Sequence, residues 1–401
     1  MTGLMRGFPP APESQVTLGN WRKSPFNRWA FHHVREIVPS ADIPNDPSRT
    51  VDFSSDLVDF GSLRIDDGAR RTLSFDEFLD DTATDGIVIV HRGRAVCERY
   101  ANGMTAEMPH ILMSVSKSLL GLLTGVLVAR SELEPNRAVT DVIPEVADTA
   151  YRGATIRQLL DMRAGVAFDE DYLATSGPIV AYRKAAGWDP RGPADAPSDL
   201  RSFYRELTKS AGPHGGPFNY VSPNTDLLGW VIERATGVRY ADLMSELVWK
   251  PMRATRSAYI TVDRLGAPRC AGGLCATVRD LARVGELIVH DGARQSAQVV
   301  PAGWIDDIVR NGDPDAWAAG SFTGYYPGLS LRYRSQWYSQ DGAAPLLFGL
   351  GIHGQNLFID RARQIVIAKV SSQALPLDAA RIALTTGAVS AILRFLDRAL
   401  R

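Results

Sequence analysis

The chain has 401 residues, 45% of them apolar and 22% charged, with a formal net charge of −1. That is enough apolar material for a sizeable core, and the charge balance excludes an electrostatic footprint for nucleic acid or an anionic membrane. Cys97, Cys270 and Cys275 are odd in number and form no C-x-x-C pair, so neither a disulfide framework nor a zinc site is expected.

The opening MTGLMRGFPPAPESQ puts prolines and a glutamate where a secretory signal needs an unbroken apolar stretch. No apolar run long enough to span a bilayer follows. With the cysteine usage, this makes a cytoplasmic location the expectation, with no membrane partner. Residues 1–55 read as an N-terminal arm packing on the core, and NRWAFHHVREIV (27–38) is its one helical piece. GIVIVHRGRAVCERYA (86–101) reads as two strands joined at Arg92-Gly93, the first apolar on both faces and therefore buried on both. SKSLLGLLTGVLVARSEL (116–133) predicts a helix buried on most sides. TIRQLLDMRAGV (155–166) predicts a helix that stops at Gly165. SPNTDLLGWVIERATG (222–237) carries a helix-start signal, apolar i/i+3/i+4 spacing and a terminal Gly237. ATVRDLARVGELIV (276–289) is amphipathic. FGLGIHGQNLFID and QIVIAKV flank a short RAR turn and predict a hairpin, and AARIALTTGAVSAILRFLDRAL closes the chain as a helix.

Strands near both ends with helices between them predict an α+β protein: an antiparallel sheet flanked by helices, built from both termini, with a helical insertion. The sheet domain takes residues 56–115 and 270–401, and the mainly helical domain takes 116–269.

The chemistry concentrates in ILMSVSKSLLG (111–121). Ser114 and Lys117 are three apart, which on a helix puts them on one face. A serine hydroxyl needs an adjacent base, and a lysine serves only when neutral. Burial against Leu119, Leu120 and Leu123 would lower the Lys117 pKa in the required direction. A helix N-terminus would also favour an oxyanion. The alternative is a serine N-cap on a buried helix, and S-x-x-K alone does not choose between the two. GLGIHG (349–354) has the spacing G-x-G-x-x-G, but a strand pattern follows it, so no dinucleotide site is read there. No G-x-S-x-G occurs. The adjacent His32 and His33 read as structural. His353 either lines a pocket or packs beside its strand, and Trp337 or Tyr338 in RSQWYSQ (334–340) either walls a pocket or fills the core.

The ordered series SVSK, LLDMRAGV, YVSPNTD, AGGLCATVRDLARVG and GIHGQNLFID resembles that of serine β-lactamase-fold hydrolases, which include class C β-lactamases, penicillin-binding proteins, family VIII esterases and 6-aminohexanoate-dimer hydrolases. NRWAF, LMSVSKSL, AAGW (185–188), NTD, ITVD (260–263) and GIHGQNL resemble the last group most, and the likeness covers nearly the whole chain. It implies the β-lactamase/transpeptidase-like fold, an acylated serine at Ser114 and an activating lysine at Lys117. Tyr220 would be the other half of the proton relay and Ser222 the third member of its Tyr-x-Ser/Asn motif. Tyr172 would close over the substrate, and the backbone N–H of Ile352 would complete an oxyanion hole with that of Ser114. No metal or other cofactor is implied. A lysine ammonium beside Tyr220 is expected to favour its phenolate.

Three departures bear on substrate. The family's Lys-Thr-Gly lysine is replaced by Ile352 or His353, which argues against strong β-lactamase activity. Arg183 stands where an acidic side chain suits a substrate amine, and Ala271 replaces a polar residue before the Gly-Gly pair. Both argue against efficient 6-aminohexanoate-dimer hydrolysis. The expected function is hydrolysis of small carboxylic esters, with short linear amides as a second class, through an acyl-enzyme. The partner is then a small-molecule substrate, and a homodimer would be unsurprising. The rivals are a penicillin-recognising module that acylates without turnover and a degenerate scaffold.

Overall fold

The computed structural model describes residues 3–68, 71–193, 195–196, 198–342 and 345–400. Its main sheet has eight strands: β1 (Ser54–Ser55), β2 (Thr84–His91), β3 (Arg94–Tyr100), β4 (Leu331–Arg334), β5 (Trp337–Gln340), β6 (Leu346–Gly351), β7 (Gln355–Asp360) and β8 (Ile365–Ser371). Their order is β4-β5-β6-β7-β8-β2-β3-β1. Every pairing is antiparallel except β1 with β3. The two ends of the chain meet where β8 pairs with β2, Ile367 opposite Ile89. β2 therefore has a neighbour on each side, and its Ile87–Val90 stretch is apolar because a core packs on each face. The turn to β3 places Arg92 at φ 48° and Gly93 at φ 76°, the left-handed pair that suits the twist of a tight hairpin.

Side-chain alternation divides the sheet between two cores. Val88, Val90, Leu347, Leu357 and Val366 face one way and pack with Leu119, Leu123, Leu281 and Val284. The latter come from α1 (Val115–Ala129) and α3 (Val278–Val289). Between them in sequence lies α2 (Ser222–Thr236), which ends at Gly237 with φ 71°. Ile87, Ile89, Phe348, Phe358 and Ile367 face the other way, with Leu384, Val389, Ile392 and Phe395. These last belong to α4 (Ala379–Ala399), long and apolar enough by length and composition to cross a membrane. Its buried residues lie against this sheet face.

The N-terminal arm does more than wrap. Its Ser40–Ile43 is the edge strand of a second, four-stranded sheet with Ala258–Thr261, Leu274–Ala276 and His110–Ile111. The helix expected over 155–166 is shorter than its sequence pattern. It runs only from Ile156 to Leu160, started by a Thr155/Gln158 capping box. The chain reverses at Met162, φ 54°. Gly165 is not the stop. A Cβ there would lie 2.0 Å from the Gly212 carbonyl oxygen, so it serves a close approach of two backbones.

Candidate active site

The strand His110–Ile111 runs into α1 through a sharp turn in which Met113 takes φ 45°. That turn delivers Ser114 to the N-cap position of α1. Its hydroxyl makes no capping hydrogen bond, which removes the N-cap alternative. It instead accepts a hydrogen bond from Lys117 Nζ at 2.9 Å.

Lys117 is buried, and its ammonium also donates to Ser222 Oγ (3.2 Å) and to the Ala271 carbonyl (2.7 Å). Burial pushes its pKa down from 10.5 to about 7, with Glu170 opposing the shift. The lysine therefore has a neutral form within reach near neutrality. Tyr220 stands just before α2, with its ring centroid 4.9 Å from Lys117 Nζ and its side chain hydrogen-bonded to that of Ser114. Here the structure reverses the expectation. Burial raises the Tyr220 pKa, Glu170 raises it further, and the bond to Ser114 only partly offsets them. Tyr220 rests as a phenol, and the group poised to lose a proton is Lys117.

Ser222 hands the network on to Glu170. Its hydroxyl donates to a Glu170 carboxylate oxygen at 3.2 Å, and its backbone N–H donates to the other oxygen. Glu170 also hydrogen-bonds the half-buried Tyr172. Sequence reasoning did not single out Glu170. The acidic run DEDY was visible, but nothing in its spacing says which carboxylate turns inward.

Ala271 contributes backbone, not side chain. Its carbonyl holds Lys117, and its N–H donates to Asp226 Oδ1 at 2.7 Å. Asp226 is itself ion-paired with the buried Arg269. Arg183 requires a correction too. Its guanidinium pairs with Asp189 (2.8 Å) and donates to the carbonyls of Tyr172 (3.2 Å) and Ala174 (2.9 Å). It fastens the loop that carries Tyr172 and is not among the residues lining the cleft beside Ser114, so direct repulsion of a substrate amine does not follow from it.

On the other side of Ser114, the end of β6 runs against the start of α1. A Cβ on Gly351 would sit 2.7 Å from the Leu112 oxygen and 2.9 Å from the Ser114 nitrogen, so only glycine allows the approach. Ile352 follows and lines the cleft. His353 and Trp337 do not. His353, at φ 61°, is buried edge-on to Phe31 and hydrogen-bonds the Gln373 carbonyl (2.7 Å). Burial pushes its pKa down to about 4, so it is neutral. Trp337 faces α1 and donates its indole N–H to the Ser118 carbonyl (3.0 Å). Its neighbour Tyr338 points the opposite way and lines the cleft. The cleft brings Ser114, Tyr172, Tyr220 and Ile352 together.

Comparison with known proteins places the fold in a family. Residues 74–390 match the Beta-lactamase family. The chain is 35% identical over 369 residues to the 6-aminohexanoate-dimer hydrolase of Paenarthrobacter ureafaciens, covering 91% of this chain and 90% of that protein. A solved structure provisionally assigned as a 6-aminohexanoate-dimer hydrolase from Bacillus anthracis superposes with a TM-score of 0.87 at 28% identity, covering 98% of this chain and 100% of that one. A family VIII carboxylesterase shares the fold, with a TM-score of 0.56 at 15% identity over 79% of this chain and 95% of that one. The family match over most of the chain, and the likeness to a hydrolase across nearly all of both sequences, place this protein in the beta-lactamase family as a hydrolase of that fold.

Proposed function

We propose that the protein is a serine hydrolase that cleaves small carboxylic esters, and short linear amides, through an acyl-enzyme on Ser114. The observation that carries this reading is the 2.9 Å contact between Lys117 Nζ and Ser114 Oγ, made by a lysine whose burial favours the neutral amine. Neutral Lys117 takes the Ser114 proton as Oγ attacks the substrate carbonyl. The N–H groups of Ser114 and Ile352 hold the developing oxyanion at the start of α1. Tyr220, still a phenol, gives its proton to the leaving group and recovers one from the Lys117 ammonium, which holds the proton taken from Ser114. Water then repeats the cycle on the acyl-enzyme. Glu170 and Ser222 hold the relay in register, and Tyr172 caps the substrate.

Amides stay within the proposal because Arg183 is engaged with Asp189 and the Tyr172 loop. Cys97, Cys270 and Cys275 are free and buried, which supports a reducing, cytoplasmic setting. The test is hydrolysis of p-nitrophenyl acetate and butyrate by wild type and Ser114→Ala, beside the linear 6-aminohexanoate dimer. Turnover by wild type, lost in Ser114→Ala by roughly the thousandfold or more typical of a removed nucleophile, is the expected result. Equal ester turnover by both proteins would end the Ser114 assignment. Stoichiometric acylation without turnover would favour a non-turnover penicillin-recognising module. No reaction in either protein would favour a scaffold.

A further inference from the structure

The catalytic cleft does not end at the catalytic residues. It continues as a groove over the face of the sheet that α4 covers only in part. On β6 the odd-numbered residues Leu347 and Gly349 face α1, while Leu346, Phe348 and Leu350 face the groove. Phe358 of β7 extends this floor. Ile382, Thr386 and Val389 of α4 form one wall, and Phe322, Tyr326 and Leu329 form the other. The groove starts where Gly351 abuts the Ser114 nitrogen. It reaches back to Leu346 at the opposite end of β6, a span of roughly 17 Å at the usual rise of a strand.

The charged residues that line the groove, Asp378 and Arg381, sit at the start of α4 and are both engaged. Asp378 caps the helix through the Arg381 N–H, and the Arg381 guanidinium pairs with Asp81 at 3.7 Å. The floor beyond them is aromatic and aliphatic, where an unpaired charge would be costly to place.

We propose, resting on the serine-hydrolase reading above, that this groove is a substrate subsite for an extended, uncharged, apolar chain attached to the scissile group. The preferred substrates are then esters or amides with a medium-length linear hydrocarbon portion, not compact ones. The chain belongs to either the acyl or the leaving-group side, and two substrate series separate these.

kcat/KM is measured on p-nitrophenyl acetate, butyrate, hexanoate and octanoate, and on acetate esters of ethanol, butanol, hexanol and octanol. Thr386→Trp and Leu346→Trp narrow the groove away from Ser114. In one series kcat/KM should climb, by up to roughly fourfold for each methylene fully buried. Both tryptophan variants should flatten that climb. An octanoate ester with a terminal carboxylate should lose the gain. Flat profiles in both series, with Ser114→Ala inactive, would overturn the subsite and leave the serine-hydrolase reading standing. Should wild type hydrolyse no ester, calorimetric titration with 1-decanol decides independently of turnover. Binding with a negative heat-capacity change, lost in Thr386→Trp, would support the subsite, and no binding would overturn it.

Discussion

In the proposed mechanism Lys117 is the residue on which the chemistry turns, because its burial would set the pH at which the site works. Its folded pKa lies near 7, below the ordinary lysine value of 10.5. As a base it acts deprotonated, so kcat/KM on p-nitrophenyl butyrate should rise with pH through about 7 and level off above it. The stability effect has the same sign. Between about 7 and 10.5 the unfolded chain binds the proton that folded Lys117 has lost, so this group's contribution becomes more favourable as pH rises through that window. Lys369 is also buried with its pKa pushed down to about 7, but it donates to Ser371 and lies outside the cleft. Lys369→Met should therefore keep the kinetic limb. A limb that vanishes with Lys369, or a flat profile in wild type, would mean that Lys117 is not the titrating base. The contact between Ser114 and Lys117 was legible in the sequence because one helical turn fixes their relation. The direction of the Tyr220 shift was not. It depends on burial and on Glu170, which a fifty-residue separation hides.

At the scale of elements, β6 and α1 make the site by touching. Gly351 permits that contact, and Gly351→Ala must push a methyl group onto the Leu112 oxygen and the Ser114 nitrogen. These are backbone atoms, so relief means moving β6 away from α1. Since Ile352 is the proposed second oxyanion donor, kcat should fall by about a hundredfold, the typical loss of one such donor. KM should change much less, and the far-ultraviolet circular dichroism should stay that of wild type. A kcat within threefold or so of wild type would remove Ile352 from the oxyanion hole. The hairpins and long helices were readable from periodicity because their own residues enforce them. The helix over 155–166 was misjudged for a long-range reason. Its end at Leu160 is set by Asp161, whose carboxylate pairs with Arg334 and accepts the Ser335 N–H. No local pattern shows partners more than 170 residues away.

At the scale of the molecule, the N-terminal arm joins parts of the chain that meet at the cleft. Trp21 is 1% exposed, lies edge-on to Trp188 and donates its indole N–H to the Trp188 carbonyl at 3.0 Å. Asn27 donates to the carbonyls of Ser372 and Gln373, beside the His353 that packs behind Ile352. The sheet built from both termini was expected from the distribution of strands. The strand Ser40–Ile43 was not, because four alternating residues are too short a pattern to stand out and its partner Ala258–Thr261 is over 200 residues distant. If the arm is integral to the core, Trp21→Ala leaves a cavity between segments and should cost about 3–5 kcal/mol. The loss would appear as a lower urea midpoint with an unchanged slope, since the whole molecule still unfolds together. A midpoint equal to that of wild type would mean that the arm is only draped on the surface. A reduced slope would mean that it detaches before the rest unfolds, and the coupling between arm and cleft would then be absent.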